Sequence, residues 1–407
     1  MDMKKKLDEA YLPDKNTKAE KVAVALSGGI DSFVMAYLLK IQKYELFGIT
    51  AVTGWEDFQG DEKSALSCVV DAPKLARIKE FCHQLNIPHF SVKVSGEFKE
   101  EVVENWMIAR TTGTLPTQCW SCHEMRMKAL YEKAKSMGAK HMATGHYAKL
   151  FNNESHGTTF VHSSNDELFD QSALLARLPQ EVLKILMLPL SDLQKKEVEK
   201  LAENFGLDGN TKALQMHQCF PWNAPEINYI LTHIPPRFFK PGEILHAADD
   251  SGVSEHEGII PHVYGEPLAT KDGAKPKEDQ VFVNYAFKER KIYVSDPGFF
   301  KREKIILTDC KVCEETPWHE PLHGSLKISD EHSVDCWVHP KTLNTVFVEW
   351  DGAESIKEGA IVAIFRKKGK NSKIYLTGKV KYLSLEKIEE VTDGEKKHVK
   401  VDYASDF

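Results

Sequence analysis

The chain has 407 residues, more than one hydrophobic core usually organises, so two or three domains are expected. Hydrophobic content of 42% and charged content of 28% exclude a fibrous or low-complexity chain, and a net charge of −7 argues against indiscriminate nucleic-acid binding while leaving room for a local basic surface. No stretch reaches the roughly 18 uninterrupted apolar residues that span a bilayer, and Met1–Lys21 is charged rather than signal-like. Eight cysteines are too few for a disulfide scaffold. A cytoplasmic, reducing location with no membrane partner is the expectation.

Residues 1–20 read as a solvated lead-in. Val22 to Leu26 is a short apolar run with the character of a buried strand, and Phe33 to Lys40 lacks breakers and suits a helix packed on a sheet. Between them lies Leu26-Ser27-Gly28-Gly29-Ile30-Asp31-Ser32. Its glycines permit positive φ and leave backbone N–H groups uncovered, which with the positive end of the next helix makes an anion site. Asp31 and Ser32 fall in the first helical turn, as cap or metal ligand. Taken alone, such a corner is more often a tight turn than a phosphate site. No Gly-Lys-Ser/Thr follows, so it is not a Walker loop, nor is it Gly-x-Gly-x-x-Gly.

Tyr44 to Thr53 reads as a second strand. Asp71 caps a helix running to Leu85, with Leu75, Ile78, Cys82 and Leu85 at helical spacing. His89 to Val94 alternates like a strand. Met127, Leu130, Tyr131, Ala134 and Met137 recur at helical intervals before a stop at Gly138. Lys140 to Thr144 is the next strand and ends in Gly145-His146-Tyr147. This alternation predicts an α/β fold with a doubly wound parallel sheet, whose ligands bind beyond the carboxyl ends of the strands. A further helix from about Leu193 to Phe205 takes Ser191 as its cap and Gly206 as its stop. Composition shifts near residue 215. From Val281 short alternating runs follow, among them Lys291–Val294, Cys336–Val338, Val346–Val348, Ile361–Phe365 and Ile374–Leu376, so an antiparallel β-barrel-like end is expected. The domains read as 1–20 lead-in, 21–214 α/β, 215–280 small adaptor and 281–407 barrel.

Cys119 and Cys122 form a Cys-x-x-Cys just before the helix that stops at Gly138, and Cys219 follows nearly a hundred residues later. By itself that pair is compatible with redox chemistry, metal binding or two half-buried thiols. Cys310-x-x-Cys313 with His319 and His323 imitates a zinc set, but its spacing is shorter than in a finger and favours barrel cysteines; Cys68, Cys82 and Cys336 sit in apolar patterns as structural residues. Basic clusters stand at Lys288–Lys291, Lys301–Lys304 and Arg366–Lys370, each readable as a solvated turn or as phosphate contacts.

The Ser-Gly-Gly-Ile-Asp-Ser loop resembles the pyrophosphate loop of the ATP pyrophosphatase superfamily, with its adenine nucleotide alpha hydrolase-like fold. These enzymes cleave ATP between the α and β phosphates and place AMP on an oxygen. Gly113–Cys122, Met142–Ala148, Phe169–Ser172, Leu188–Leu207 and Val253–Gly258 are similar, in order, to the tRNA-specific 2-thiouridylases. The resemblance implies adenylation of the C2 oxygen of the wobble uridine in tRNA and its replacement by sulfur. It implies that Ala25, Leu26, Ser27, Gly28, Gly29, Ile30, Asp31, Ser32, Val52, Gly145 and His146 hold ATP, with Asp31 on Mg²⁺. It further implies that Thr117, Gln118, Asp170, Gln171 and Ser172 meet the tRNA. In the family, the cysteine matching Cys122 is a nucleophile and the one matching Cys219 carries sulfur in a persulfide relay. A competing scheme has these cysteines hold an iron–sulfur cluster. Cys119 stands where the family usually has aspartate, and three thiolates, Cys119, Cys122 and Cys219, lean toward a 4Fe-4S cluster with one open iron. The sulfur donor is a persulfide carrier protein or inorganic sulfide. Pro261–Pro267 and Ser329-Asp330 depart from family segments expected to carry RNA-contacting cations. Two alternatives stay open: a related sulfurtransferase acting on another RNA position or a small molecule, and a non-catalytic RNA-binding or iron–sulfur protein.

Overall fold

The computed structural model describes residues 20–54, 70–207, 232–268, 280–313, 320–329, 332–342, 344–382, 389–393 and 396–400. Cys68, Cys219, His319 and Asp330 lie outside them.

The apolar run after Glu20 forms β1 (Lys21–Ala25), and the breaker-free run forms α1 (Ile30–Ile41). β2 (Glu45–Val52) pairs in parallel with β1. α2 (Ala72–Gln84) starts where expected: the Asp71 carboxylate accepts from the Lys74 N–H at 2.9 Å. β3 (His89–Lys93) lies outside β2. α3 (Gln118–Ser136) ends before Gly138, whose φ of +72° only glycine adopts readily. β4 (His141–Ala143) adds to the other side of β1, a hairpin of β5 (Lys149–Asn153) and β6 (Thr158–His162) leaves its carboxyl end, and the short β7 (Leu186–Met187) completes the sheet. The order is β3-β2-β1-β4-β7, all parallel. Strand order reverses between β1 and β4, which places the ligand crevice at the carboxyl ends of those two strands.

Helices cover both faces. α1 packs through Phe33 on Phe81 of α2, ring centroids 4.2 Å apart, and through Tyr37 on Phe205, at 4.1 Å. Phe205 ends α5 (Lys195–Asn204); between β6 and β7 lies α4 (Ser172–Ala176). The cap of α5 is Gln194 with Glu197 in a reciprocal capping box, not the Ser191 read from sequence. Met125, Met127, Leu130 and Tyr131 of α3 cover the opposite face and share one core with the adaptor.

The adaptor sheet has the order β10-β11-β8-β9, from β8 (Gly242–His246), β9 (Gly252–His256), β10 (Val281–Ala286) and β11 (Lys291–Ser295). This moves a boundary. Val281–Ser295, assigned to the barrel from its alternation, belongs to the adaptor, because β11 pairs in parallel with β8. Alternation tells that a run is a strand but not which sheet receives it. The barrel proper closes as β12-β15-β14-β13-β16-β17. Its strands are β12 (Lys301–Val312), β13 (Leu322–Lys327), β14 (Ser333–Thr342), β15 (Thr345–Ser355), β16 (Ile361–Phe365) and β17 (Ile374–Lys381). Ile305, Leu307, Leu326, Val338, Val348, Ile364 and Leu376 fill it. Cys310, Cys313 and His323 are packed separately: the Cys310 thiol donates to Leu307 O, the Cys313 thiol to Ala176 O, and His323 meets Trp337 edge-on. Burial pushes the two thiols up to about 11 and about 12. No helix among the described residues is long and apolar enough to cross a membrane.

Candidate active site

The turn after β1 is held by its own side chains. Ser32 Oγ donates to Gly29 O at 2.7 Å, and Gly29 N–H reaches Ser27 Oγ at 3.4 Å. Gly28 sits at φ +82° and Gly29 at −82°, so only the first uses the left-handed region. Ala25 and Val52 end adjacent strands at the same rim, with Leu26 N–H bound to Ile49 O beneath them. No side chain caps α1, which leaves the N–H groups of Ile30, Asp31 and Ser32 at its positive end.

Gly145 is the second wall. A Cβ there would lie 3.0 Å from the Asp31 carbonyl carbon and 3.1 Å from Asp31 O and Ser32 N, all rigid backbone. The glycine lets β4 deliver its carboxyl end directly onto the amino end of α1. Gly145→Ala must force the two apart by several tenths of an ångström. It is expected to cost about 100-fold in any reaction carried out at this rim, the usual scale for displaced reacting groups, with little loss of fold. Steady-state kinetics on a variant with unchanged thermal unfolding checks this.

The third wall is the thiol helix. Thr117 is the N-cap of α3 and Gln118, buried, its first residue. Cys119 and Cys122 therefore lie inside the helix rather than before it, one turn apart on one face, at the end where negative charge is favoured. The next residue, His123, meets His146 edge to face, with ring centroids 5.1 Å apart and planes at 89°. His146 also shares a 2.9 Å hydrogen bond with Thr144 Oγ1. The contact joins Cys122-His123 to Gly145-His146, and Gly145 abuts Asp31 and Ser32, so the thiol helix and the glycine turn meet at one rim. Burial pushes His146 down to about 4 against the pull of Asp31, and pushes His123 well below its ordinary value, with His146 and Arg126 adding to the effect. Both imidazoles are neutral at neutral pH.

Positive charge comes from a residue that sequence reading passed over. Lys195, the first residue of α5, is 6% exposed, and its Nζ donates to both Asp31 oxygens, at 2.7 and 2.8 Å. Tyr147 Oη donates to Asp31 Oδ1 at 2.7 Å. Asp31 thus has an ammonium and a phenol where a divalent ion was expected. A metal on this carboxylate would face the Lys195 charge at contact distance, so the residues as arranged do not fit Mg²⁺ at Asp31.

Asp170, Gln171 and Ser172 turn inward. The Asp170 carboxylate is 4% exposed and accepts from Ser164 N–H, Ser172 Oγ and barrel Lys327 Nζ. Gln171 Oε1 accepts from Tyr147 N–H, and Ser172 is fully buried. Arg177 continues this seam, donating to Glu124 of the thiol helix and Asp309 of the barrel.

The family described as tRNA methyl transferase HUP domain matches residues 20–221. The tRNA-specific 2-thiouridylase MnmA of Clostridioides difficile (strain 630) is 31% identical over 351 residues, covering 85% of this chain and 95% of its own length. That of Rickettsia canadensis (strain McKiel) is 30% identical over 315 residues, 76% of this chain and 83% of its own. The chain belongs to the tRNA-specific 2-thiouridylase family. Among solved structures, the U34-tRNA thiolase NcsA from Methanococcus maripaludis with its 4Fe-4S cluster aligns at 21% identity and a TM-score of 0.35, over 57% of this chain and 72% of that one.

The candidate site draws together residues 27–32, 118–123 and 145–147, with Lys195 on Asp31. Cys219, the expected sulfur carrier, lies outside the described residues. Lys195 could have been suspected only from its position, a lysine in the first turn of a helix whose dipole disfavours it.

Proposed function

We propose that this protein is an ATP-dependent tRNA sulfurtransferase that converts a wobble uridine to 2-thiouridine. The observation that carries the reading is the contact of His123 with His146, which brings the thiol helix to the rim where Gly145 meets the glycine turn, and supports a shared site.

MgATP would lie with its phosphates over Ser27–Ser32, met by the backbone N–H groups of the α1 amino end, and its adenosine between Val52 and Gly145. The uridine C2 oxygen attacks the α-phosphorus; the bond to the β-phosphate oxygen breaks and pyrophosphate leaves. A sulfur nucleophile arriving from the Cys119–Cys122 turn then attacks C2, and AMP departs with the oxygen. With hydrosulfide as the donor class, the products are 2-thiouridine, AMP and one proton. In a persulfide relay a disulfide remains and a thiol reductant must reopen it.

Cys119 and Cys122 present two sulfurs on one helix face, the donor chemistry an iron–sulfur cluster takes, with Cys219 as the third ligand. A 4Fe-4S cluster so held would present sulfide at its open iron. Thr117 and Gln118, at the mouth of α3, are the proposed contacts to the base, whereas Asp170, Gln171 and Ser172 would serve RNA by fixing the rim and the barrel.

The test is formation of AMP and pyrophosphate from ATP that requires tRNA, followed by 2-thiouridine in the nucleoside digest when sulfide is supplied. ATP cleavage indifferent to tRNA, with no thionucleoside under anaerobic conditions, would sink the reading.

A further inference from the structure

The three basic clusters of the sequence have different fates. In Lys301–Lys304, Arg302 lies 3.9 Å over the Tyr382 ring and donates to Phe299 O, so it is committed to packing. Lys288–Lys291 turns the β10–β11 hairpin of the adaptor, where Arg290 O is bound by His256. The third is the β16–β17 turn. Arg366, Lys367, Lys368 and Lys370 are all exposed there, and among the described residues none has an acidic partner. No Asp or Glu occurs between Gly359 and Leu385, in a chain whose net charge is −7.

The turn is fastened to the α/β domain. Ser163 N–H donates to Ser372 O, Ser372 N–H to Ser163 Oγ, Ser163 Oγ to Gly369 O, and His162 Nδ1 lies 3.3 Å from Asn371 O. Ser163 follows β6, and the chain from there runs straight to the nucleotide rim: Asp166 accepts from the N–H of Lys195, whose ammonium holds Asp31. Beside the turn stands an exposed aromatic, Phe151, 48% accessible and packed at a tilt of 36° on His162, with ring centroids 4.1 Å apart.

From this juxtaposition, and resting on the tRNA-thiolation reading, we infer that the Arg366–Lys370 turn with Phe151 is an RNA-docking surface: the cations take backbone phosphates and the phenyl ring stacks on an unpaired base. Its fastening to β6 sets a fixed distance between docked phosphates and the adenylation turn. That geometry lets binding energy from remote phosphates position one uridine.

The test measures tRNA affinity of the full chain against salt, for wild type and for a variant carrying R366Q, K367Q, K368Q and K370Q. Each lost phosphate contact lowers the slope of log K against log salt by about 0.7–0.9, so the fourfold variant is expected to lose about 3 in slope. At 0.1 M salt it should bind at least about tenfold more weakly. Phe151→Ala should weaken binding about tenfold with the slope unchanged, as loss of stacking does. A fourfold variant with the wild-type slope overturns the inference, as does a wild type without tRNA affinity. A wild type that binds tRNA through this turn but yields no 2-thiouridine overturns the thiolation reading and leaves the docking surface standing.

Discussion

Replacing Lys195 by methionine is expected to reduce tRNA-dependent AMP formation by about 100- to 1,000-fold, the scale for removing one preorganised charge from a reacting centre. Two effects combine. Asp31 keeps its backbone place in the α1 turn but loses the ammonium that binds both of its oxygens. An unneutralised carboxylate then faces the position proposed for the ATP phosphates and repels them. Stability should fall as well, by about 1–3 kcal/mol; the full penalty of breaking a buried pair is larger, but Asp31 is 31% exposed and water relieves part of it. The double variant K195M/D31N separates the effects. Removing both charges should restore much of the stability and part of the ATP affinity, giving a coupling energy well outside simple additivity. Denaturant midpoints and pyrophosphate release measure both. A single variant with wild-type turnover would show that the pair is a strut and nothing more.

Cys122→Ser is expected to divide the reaction in two. Thiolation should drop at least about 1,000-fold, since an alcohol neither carries sulfur nor ligates iron as a thiolate does, while AMP and pyrophosphate formation stays within a few-fold of wild type. Cys122 lies at the start of α3, and that helix meets the Gly145-His146 segment through the His123–His146 contact. Cys119→Ser discriminates the sulfur schemes. In a persulfide relay between Cys122 and Cys219 it should be nearly silent; with a cluster it should remove iron and activity together. Nucleoside analysis alongside iron quantitation reads both variants, and abundant 2-thiouridine from Cys122→Ser would exclude a role for that thiol.

Much of the site was legible because its determinants are local. A glycine pair between an apolar run and a breaker-free run can be little else than a strand–turn–helix, and Asp71 two residues before Pro73 announces a helix start. Gly145 could be placed at the strand end from its own neighbours. Its purpose was not visible there, since the atoms it avoids belong to Asp31 and Ser32, more than a hundred residues earlier. The family resemblance places Asp170 against the tRNA; in the fold its carboxylate is enclosed by Ser164, Ser172 and barrel Lys327.

What the sequence by itself determined is the order of strands and helices, the glycine turn between β1 and α1, the helical stop at Gly138 and the barrel-like end, all properties of neighbouring residues and their periodicity. What only the tertiary structure decided is partnership: Lys195 on Asp31, His123 on His146, β11 beside β8, and the basic turn on Ser163. Such pairings depend on how elements distant in the chain pack to bury their apolar faces, and no local pattern encodes the identity of the residue that arrives from elsewhere.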